Sequence, residues 1–153
     1  MEDKLIRRLR KFVPIVVAED DEEDQELLME AFEECGLAQD VFFVRDGEEL
    51  MDYLGRKGRF TDSQEFPQPG IIVLDLNMPR KDGRQVLKEI KSHSELRKIP
   101  IIILTTSKAE EDIKSSYELG VNSFIVKPVG FDSLLNVTRV IGKYWLEIVE
   151  LPV

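Results

Sequence analysis

The sequence predicts a single α/β domain in which helices cover both faces of a five-stranded parallel sheet. Three short apolar runs rich in Val and Ile lie at 14–18, 71–74 and 100–104. Each is too short for a helix and is typical of a strand buried on both faces. Weaker strand patterns lie at 41–44 and 123–126. Helical patterns alternate with these runs, which predicts right-handed crossovers in a doubly wound sheet.

One helix is predicted after each strand. The first ends at Gly36 and the second at Gly55 or Gly58, because glycine is common just past a helix C-terminus. The fourth, at about 109–119, has few apolar residues, so we expect it to pack weakly and to shift easily. The apolar positions that define the five helices are Leu27, Leu28, Ala31, Phe32 and Cys35; Leu50, Met51 and Leu54; Val86, Leu87 and Ile90; Ile113, Tyr117 and Leu119; Leu134, Leu135, Val137 and Ile141.

The composition excludes some classes of partner. The 153-residue chain has 21 Lys and Arg against 30 Asp and Glu, a net charge of −9. Its field repels phosphate backbones, so no nucleic-acid partner is expected, and a partner with a basic docking surface fits better. The single cysteine, Cys35, allows no internal disulfide and no cysteine-based metal cluster. A chain of this length suits one domain with a full core.

The two ends of the chain differ from its middle. We divide it into an N-terminal arm at 1–12, a folded domain at 13–141 and an apolar C-terminal extension at 142–153. The arm interleaves basic and apolar residues, a pattern that fits an added helix and a disordered leader equally well. Binding of the arm to a membrane surface fits the pattern less well. The apolar segment 12–18 runs into acidic residues, unlike a signal sequence, and no segment approaches the ~20 residues of a membrane span. We therefore expect a cytoplasmic protein with no membrane partner.

The C-terminal extension and the end of the last helix hold more apolar residues than one helix face can bury. A monomer would expose them as a large patch, which predicts a partner surface, and a C2 homodimer is the commonest closed solution. The alternative is a tail that folds back on its own domain. The residues concerned are Val140, Ile141, Tyr144, Trp145, Leu146, Ile148, Val149 and Leu151.

Acidic residues follow the first and third predicted strands. In the predicted strand order 2-1-3-4-5 these two strands are neighbours, and ligands bind at their carboxyl ends. Glu19, Asp20 and Asp21 should therefore lie close to Asp75. Like charges about 4 Å apart repel by roughly 4 kcal/mol at an effective dielectric of about 20, so the cluster calls for a cation or for raised pKa values. Oxygen ligands with no His or Cys nearby favour Mg²⁺.

Two further polar side chains follow the fourth and fifth strands, Thr105 and Lys127. A hydroxyl and an ammonium that converge on a metal-bound carboxylate make a place for a phosphoryl group, and Asp75 can supply the attacking oxygen. The residues therefore predict phosphoryl transfer to Asp75. Each also has a plainer interpretation: Asp75 as the cap of a turn, Thr105 as the end of a strand and Lys127 as a surface cation. Asp21 is expected to cap the first helix.

Four motifs resemble those of the receiver domain of two-component response regulators. They are EDD at 19–21, DLNMP at 75–79, LTT at 104–106 and KP at 127–128, in the family's order and spacing, and the match covers roughly 13–141. The resemblance implies a flavodoxin-like (βα)5 fold, Mg²⁺ as the cofactor and a histidine kinase as the partner that donates the phosphoryl group.

The resemblance also implies a role for each residue around the phosphoryl group. Asp75 would be the phosphoacceptor, Thr105 the switch hydroxyl and Lys127 the phosphate-binding cation. The Lys127–Pro128 peptide bond would be cis. Phe124 would be the switch aromatic; it lacks the tyrosine hydroxyl, and a buried core aromatic is the alternative interpretation.

The metal ligands implied by the resemblance are Asp20 directly, Glu19 through water, Asn77 through its backbone carbonyl, and Asp75. A Mg²⁺-dependent phosphohydrolase is an alternative function. Such enzymes usually place a second carboxylate two residues after the nucleophile, where this chain has Asn77, which cannot transfer a proton. We therefore expect no enzyme, but a phosphoacceptor that catalyses only its own phosphorylation and dephosphorylation.

Three further segments, at 55–70, 104–113 and 144–152, resemble the single-domain response regulators of cyanobacterial phytochromes. In that subfamily the protein has no output domain and tends to form homodimers, here expected through the helix 4–strand 5–helix 5 face and the C-terminal extension. His93 lies in a predicted surface loop, so the phosphodonor histidine is expected in another protein. The competing interpretation is a dimeric interaction module that works without phosphorylation.

Overall fold

The computed structural model describes residues 12–152, and its centre is a five-stranded parallel sheet. The strand order is β2-β1-β3-β4-β5, as predicted, which is the flavodoxin-like arrangement. Two strands begin one residue later than predicted because Pro14 and Pro100 have no N–H for the sheet ladder. The strands are β1 (Ile15–Ala18), β2 (Val41–Val44), β3 (Ile71–Leu74), β4 (Ile101–Thr105) and β5 (Ser123–Val126).

A helix follows each strand. The Asp21 side chain caps α1 as predicted, accepting a hydrogen bond from the Asp24 N–H at 3.0 Å. The left-handed φ of 72° at Gly36 ends the following turn, which explains the glycine there. The helices are α1 (Glu22–Glu34), α2 (Gly47–Leu54), α3 (Gly83–Ser92), α4 (Glu110–Leu119) and α5 (Phe131–Gly142), and α5 continues into a π-helical turn at Lys143–Ile148.

The sheet separates two apolar cores. Successive strand residues point to opposite faces, so Val16 and Ile103 pack on one face and Ile15 and Leu104 on the other. The first core lies with α2 and α3, and the second lies with α1 and α5. This two-sided burial explains why the strand sequences are continuous apolar runs.

The apolar residues at the end of α5 and in the C-terminal extension divide into two groups. Leu146 is buried, and Trp145 and Leu151 pack against the second core, so this part folds back on its own domain. The apolar stripe, which we define as Val140, Tyr144 and Ile148, is 66%, 49% and 61% exposed. The first group therefore follows the alternative interpretation, a tail that folds back on its own domain, and the partner surface stays a prediction for the apolar stripe.

Predictions for the N-terminal arm fall almost entirely outside the described residues, of which Phe12 is the first and is exposed. Among residues 12–152, no helix combines the length and the apolar character needed to cross a membrane.

Candidate functional site

Asp75 lies directly after β3, at the carboxyl edge of the sheet, and is buried. Its backbone N–H donates to the Ala18 carbonyl at 3.1 Å, which ties it to the end of β1. Its Oδ1 accepts a hydrogen bond from the Asn77 N–H at 3.1 Å, which fixes the carboxylate. A Cβ at Gly83 would lie 2.2 Å from the Asp75 carbonyl oxygen, so only glycine lets α3 begin this close to the loop.

The ends of β4 and β5 bring a hydroxyl and an ammonium to the Asp75 carboxylate. Thr105 is fully buried and donates its hydroxyl hydrogen to Asp75 Oδ1 at 2.7 Å. The Lys127 ammonium donates to Asp75 Oδ2 at 3.0 Å. The three residues predicted around a phosphoryl group therefore meet at one carboxylate, one from each of three neighbouring strands.

The acidic residues after β1 complete the site. Carboxylate oxygens of Glu19, Asp20 and Asp75 lie within 4.8 Å of one another. Glu19 is buried and Asp20 is exposed. Burial raises the pKa of Glu19 to about 7; the charge of Asp75 adds to this rise, while hydrogen bonding and charge from Lys127 oppose it. A cluster of carboxylates this close fits a hard divalent cation.

Lys127 contacts three carboxylates, those of Glu19, Asp24 and Asp75. Burial alone would lower its pKa, but hydrogen bonds to Glu19 and Asp24 and the charges of Glu19 and Asp75 outweigh that effect and raise the pKa. Asp24 was not predicted to belong to the site, although its place in the first turn of α1 could have indicated that it faces this edge. The expected cis bond to Pro128 is wrong: the bond is trans, and the ammonium reaches inward in that geometry.

A polar cluster that was not predicted from the sequence borders the site. We define the Arg84 cluster as Arg84, Asp112 and Ser107. The Arg84 Nε donates to Asp112 Oδ1 and its Nη2 to Asp112 Oδ2, both at 2.7 Å. The Ser107 hydroxyl donates to Asp112 Oδ2 at 2.6 Å. These residues come from three separate segments, and no sequence spacing indicates that they meet.

The other predicted site residues lie at the edges of the site. The Asn77 side chain is exposed, and its Oδ1 lies 3.4 Å from the Arg84 guanidinium. Phe124 is half-buried against the first core, and its backbone N–H donates to the Tyr117 hydroxyl at 3.2 Å. Of the ten residues described in α4, only Ser116 is buried, which confirms the prediction of weak packing for this helix. His93 is exposed, as predicted.

Known proteins are similar to this chain in sequence and in fold. The sequence model of the response regulator receiver domain matches residues 15–139. The response regulator Rcp1 of Synechocystis sp. is 39% identical over 138 residues, which are 90% of this chain and 92% of Rcp1. The crystal structure of the phosphorylated cyanobacterial phytochrome response regulator RcpA has a TM-score of 0.86 at 39% identity, covering 94% of this chain and 100% of that one.

The Mn²⁺-bound form of Rcp1 has a TM-score of 0.81 at 37% identity, covering 92% of this chain and 99% of that one. The family match spans all five strands and every residue that meets at their carboxyl edge. The chain therefore belongs to the response regulator receiver family and is related to the response regulators of cyanobacterial phytochromes.

Proposed function

We propose that this protein accepts a phosphoryl group on Asp75 from a phosphohistidine of a partner histidine kinase, in a reaction that needs Mg²⁺. The observation that carries the proposal is the convergence of the Thr105 hydroxyl and the Lys127 ammonium on the buried Asp75 carboxylate, at 2.7 and 3.0 Å. A structural ion pair alone gives no reason for a buried hydroxyl on the same carboxylate.

The transfer replaces one bond to phosphorus by another. A carboxylate oxygen of Asp75 forms a bond to phosphorus, while the bond from phosphorus to the donor imidazole nitrogen breaks and its electron pair stays on that nitrogen. Thr105 and Lys127 then donate to phosphoryl oxygens in place of the carboxylate oxygens that they contact here. Charge-assisted hydrogen bonds of this kind stabilise the charge on the bound phosphoryl group, which is roughly −1.5 to −2.

The residues that would hold Mg²⁺ are Glu19, Asp20, Asp75 and the backbone carbonyl of Asn77. When bound, the ion would neutralise charge on the phosphoryl oxygens and on the carboxylates. The raised pKa of Glu19, caused first by burial, supports a site that gains from a further positive charge. A relative with 37% identity has been crystallised with Mn²⁺, which supports the same class of ion here.

The proposed output begins at Thr105. Once Thr105 is held by the phosphoryl group, Phe124 turns in the space beside it and α4 shifts, since α4 buries little apolar surface. A shift from 1:99 to 99:1 would need about 5.5 kcal/mol of differential interaction, which several charge-assisted contacts can supply.

The partner class and the assembly are part of the same proposal. The similarity to RcpA and Rcp1 supports a phytochrome-type kinase as the donor. The proposal includes a cytoplasmic location and a chain made of an arm (1–12), a receiver domain (13–141) and an extension (142–153). The exposed apolar stripe, which runs from the end of α5 into the π-helical turn, and the half-buried β5 support a homodimer through the α4–β5–α5 face. Sedimentation with Mg²⁺ and beryllofluoride distinguishes a dimer that phosphorylation strengthens from one that is independent of it.

The direct test is phosphorylation of the whole chain by a small phosphoryl donor, acetyl phosphate, with Mg²⁺, followed by intact-mass spectrometry. The wild type should gain one phosphoryl group, and Asp75→Asn should gain none while keeping the wild-type circular dichroism spectrum. Asp132→Asn is the matched control, since Asp132 is an exposed carboxylate on α5, and it should be labelled like the wild type. Labelling of Asp75→Asn at another residue would contradict the assignment.

A further inference from the structure

Arg84 lies between two segments that border the proposed phosphoryl site. On one side its Nη1 lies 3.4 Å from Asn77 Oδ1 and 3.5 Å from the Leu76 carbonyl oxygen, both in the loop after Asp75. The same nitrogen contacts the carboxylate of Asp82, which caps α3. On the other side the guanidinium holds Asp112 through two bonds of 2.7 Å. Arg84 therefore joins the loop after β3 to the first turn of α4.

The third member of the Arg84 cluster extends this connection to the switch hydroxyl. Ser107 donates to Asp112, and its backbone N–H lies 3.4 Å from the Thr105 hydroxyl oxygen. Thr105 in turn donates to Asp75. A continuous set of polar contacts thus leads from Asp75 through Thr105 and Ser107 to α4 and returns through Arg84 to the loop beside Asp75.

We propose that Arg84 is a positioning residue that holds the start of α4 against the loop after Asp75, so that phosphoryl binding at Asp75 and the position of α4 stabilise each other. The inference rests on the function proposed above. In this structure Arg84 is bound to Asp112 while the Thr105 hydroxyl faces Asp75. A phosphoryl group on Asp75 needs the Thr105 hydroxyl in this orientation. Breaking the contacts of the Arg84 cluster should therefore weaken phosphoryl binding, and the position of α4 should no longer depend on that binding.

Two properties suit the pair for this role. Arg84 donates in a bidentate fork, which fixes the orientation of Asp112 as well as its distance. Few packing contacts fix the position of α4, because Ser116 is the one buried residue among the ten described in this helix. The ion pair can therefore have a large share in positioning it. The hydrogen bond to Arg84 lowers the pKa of Asp112 to about 2, so the pair is charged throughout the neutral range.

The test measures binding of beryllofluoride with Mg²⁺ to the whole chain by calorimetry, and amide hydrogen exchange of residues 110–119 with and without it. Arg84→Gln and Asp112→Asn should each weaken binding about fivefold, and the double variant should bind no more weakly than either single variant. Beryllofluoride should change the exchange of α4 in the wild type and leave it unchanged in these variants. The reversed pair Arg84→Glu with Asp112→Arg should recover part of both effects.

The matched control is the ion pair of Lys81 with Glu89, which has an N–O distance of 2.9 Å and joins the same loop to α3 without reaching α4. Lys81→Gln should bind beryllofluoride like the wild type and keep the exchange response. Two outcomes would overturn the inference. One is additive losses of beryllofluoride affinity in the double variant; the other is an affinity and an exchange response of Arg84→Gln equal to those of Lys81→Gln. If Arg84→Gln fails to fold, Asp112→Asn and Ser107→Ala give the same test, and wild-type affinity in both would overturn it. A folded wild type that binds no beryllofluoride would overturn the proposed function as well.

Discussion

The helices α3 and α4 have ten residues each and flank the same strand, β4, but different forces hold them in place. Val86, Leu87 and Ile90 of α3 are buried in the first core, and Gly83 lies against the Asp75 carbonyl. Helix α4 buries Ser116 among its described residues, and polar contacts hold it at two positions, Asp112 and Tyr117.

The difference shows how one fold can combine a firmly packed loop at the proposed site with a weakly packed helix beside it. Packing of α3 fixes the loop after Asp75, because displacing α3 would expose several large apolar side chains. Displacing α4 breaks a few exposed or half-exposed polar contacts, which water can replace at small cost. The proposed phosphorylation would add charge at the junction of the two, so α4 is the helix that we expect to respond.

The largest expected effect comes from truncating a buried side chain of the packed helix, α3. Leu87→Ala in α3 should lower the free energy of unfolding by about 3 kcal/mol, because it leaves a cavity in the first core. Leu119→Ala in α4 is the matched substitution. This variant should lower the free energy of unfolding by about 1 kcal/mol, since Leu119 is half-buried at the margin of that core. Urea unfolding followed by circular dichroism measures both. Equal losses would show that α4 is anchored as firmly as α3.

The fold could be predicted almost completely from the sequence because apolar periodicity and glycine positions are local signals. The runs at 71–74 and 123–126 became strands with the predicted bounds, and the sparse pattern of α4 indicated its weak packing. The convergence of Asp75, Thr105 and Lys127 followed from strand order, since each ends a parallel strand.

The contacts that were missed depend on distances that strand order does not set. Asp24 and Lys127 are 103 residues apart, and Arg84 and Asp112 are 28 apart. Their pairing depends on how far long side chains reach across helix ends, and charges are frequent in this chain. The trans bond before Pro128 was missed for a related reason: the expectation came from family resemblance, whereas Lys127 reaches its partners from a trans backbone.

A smaller effect is expected at the polar attachment of α4. Arg84 lowers the pKa of Asp112 from 3.8 to about 2, so the unfolded chain binds more protons between these values and the pair stabilises the fold above them. Since Arg84 is more than one third exposed, solvent screening limits the contribution to about 1 kcal/mol. Asp112→Asn should therefore be less stable than the wild type at neutral pH by about this amount. The difference should shrink as the pH falls below 3.8 towards 2. Urea unfolding across that range checks it, and a difference that stays constant with pH would contradict the ion-pair origin.

The smallest expected effect is at the other polar attachment, where the Tyr117 hydroxyl accepts a hydrogen bond from the Phe124 N–H of β5. Tyr117→Phe keeps the ring and removes the acceptor, so the N–H turns to water and the contact loses about 0.5 kcal/mol. Amide exchange of Phe124 should become about twofold faster, as that free energy requires. Tyr144→Phe is the control, because the Tyr144 hydroxyl has no hydrogen-bond partner among the described residues and its ring is similarly exposed. If Phe124 exchanges at the same rate in both variants, Tyr117 does not hold β5 to α4, and Asp112 is left as the polar attachment that distinguishes α4 from α3.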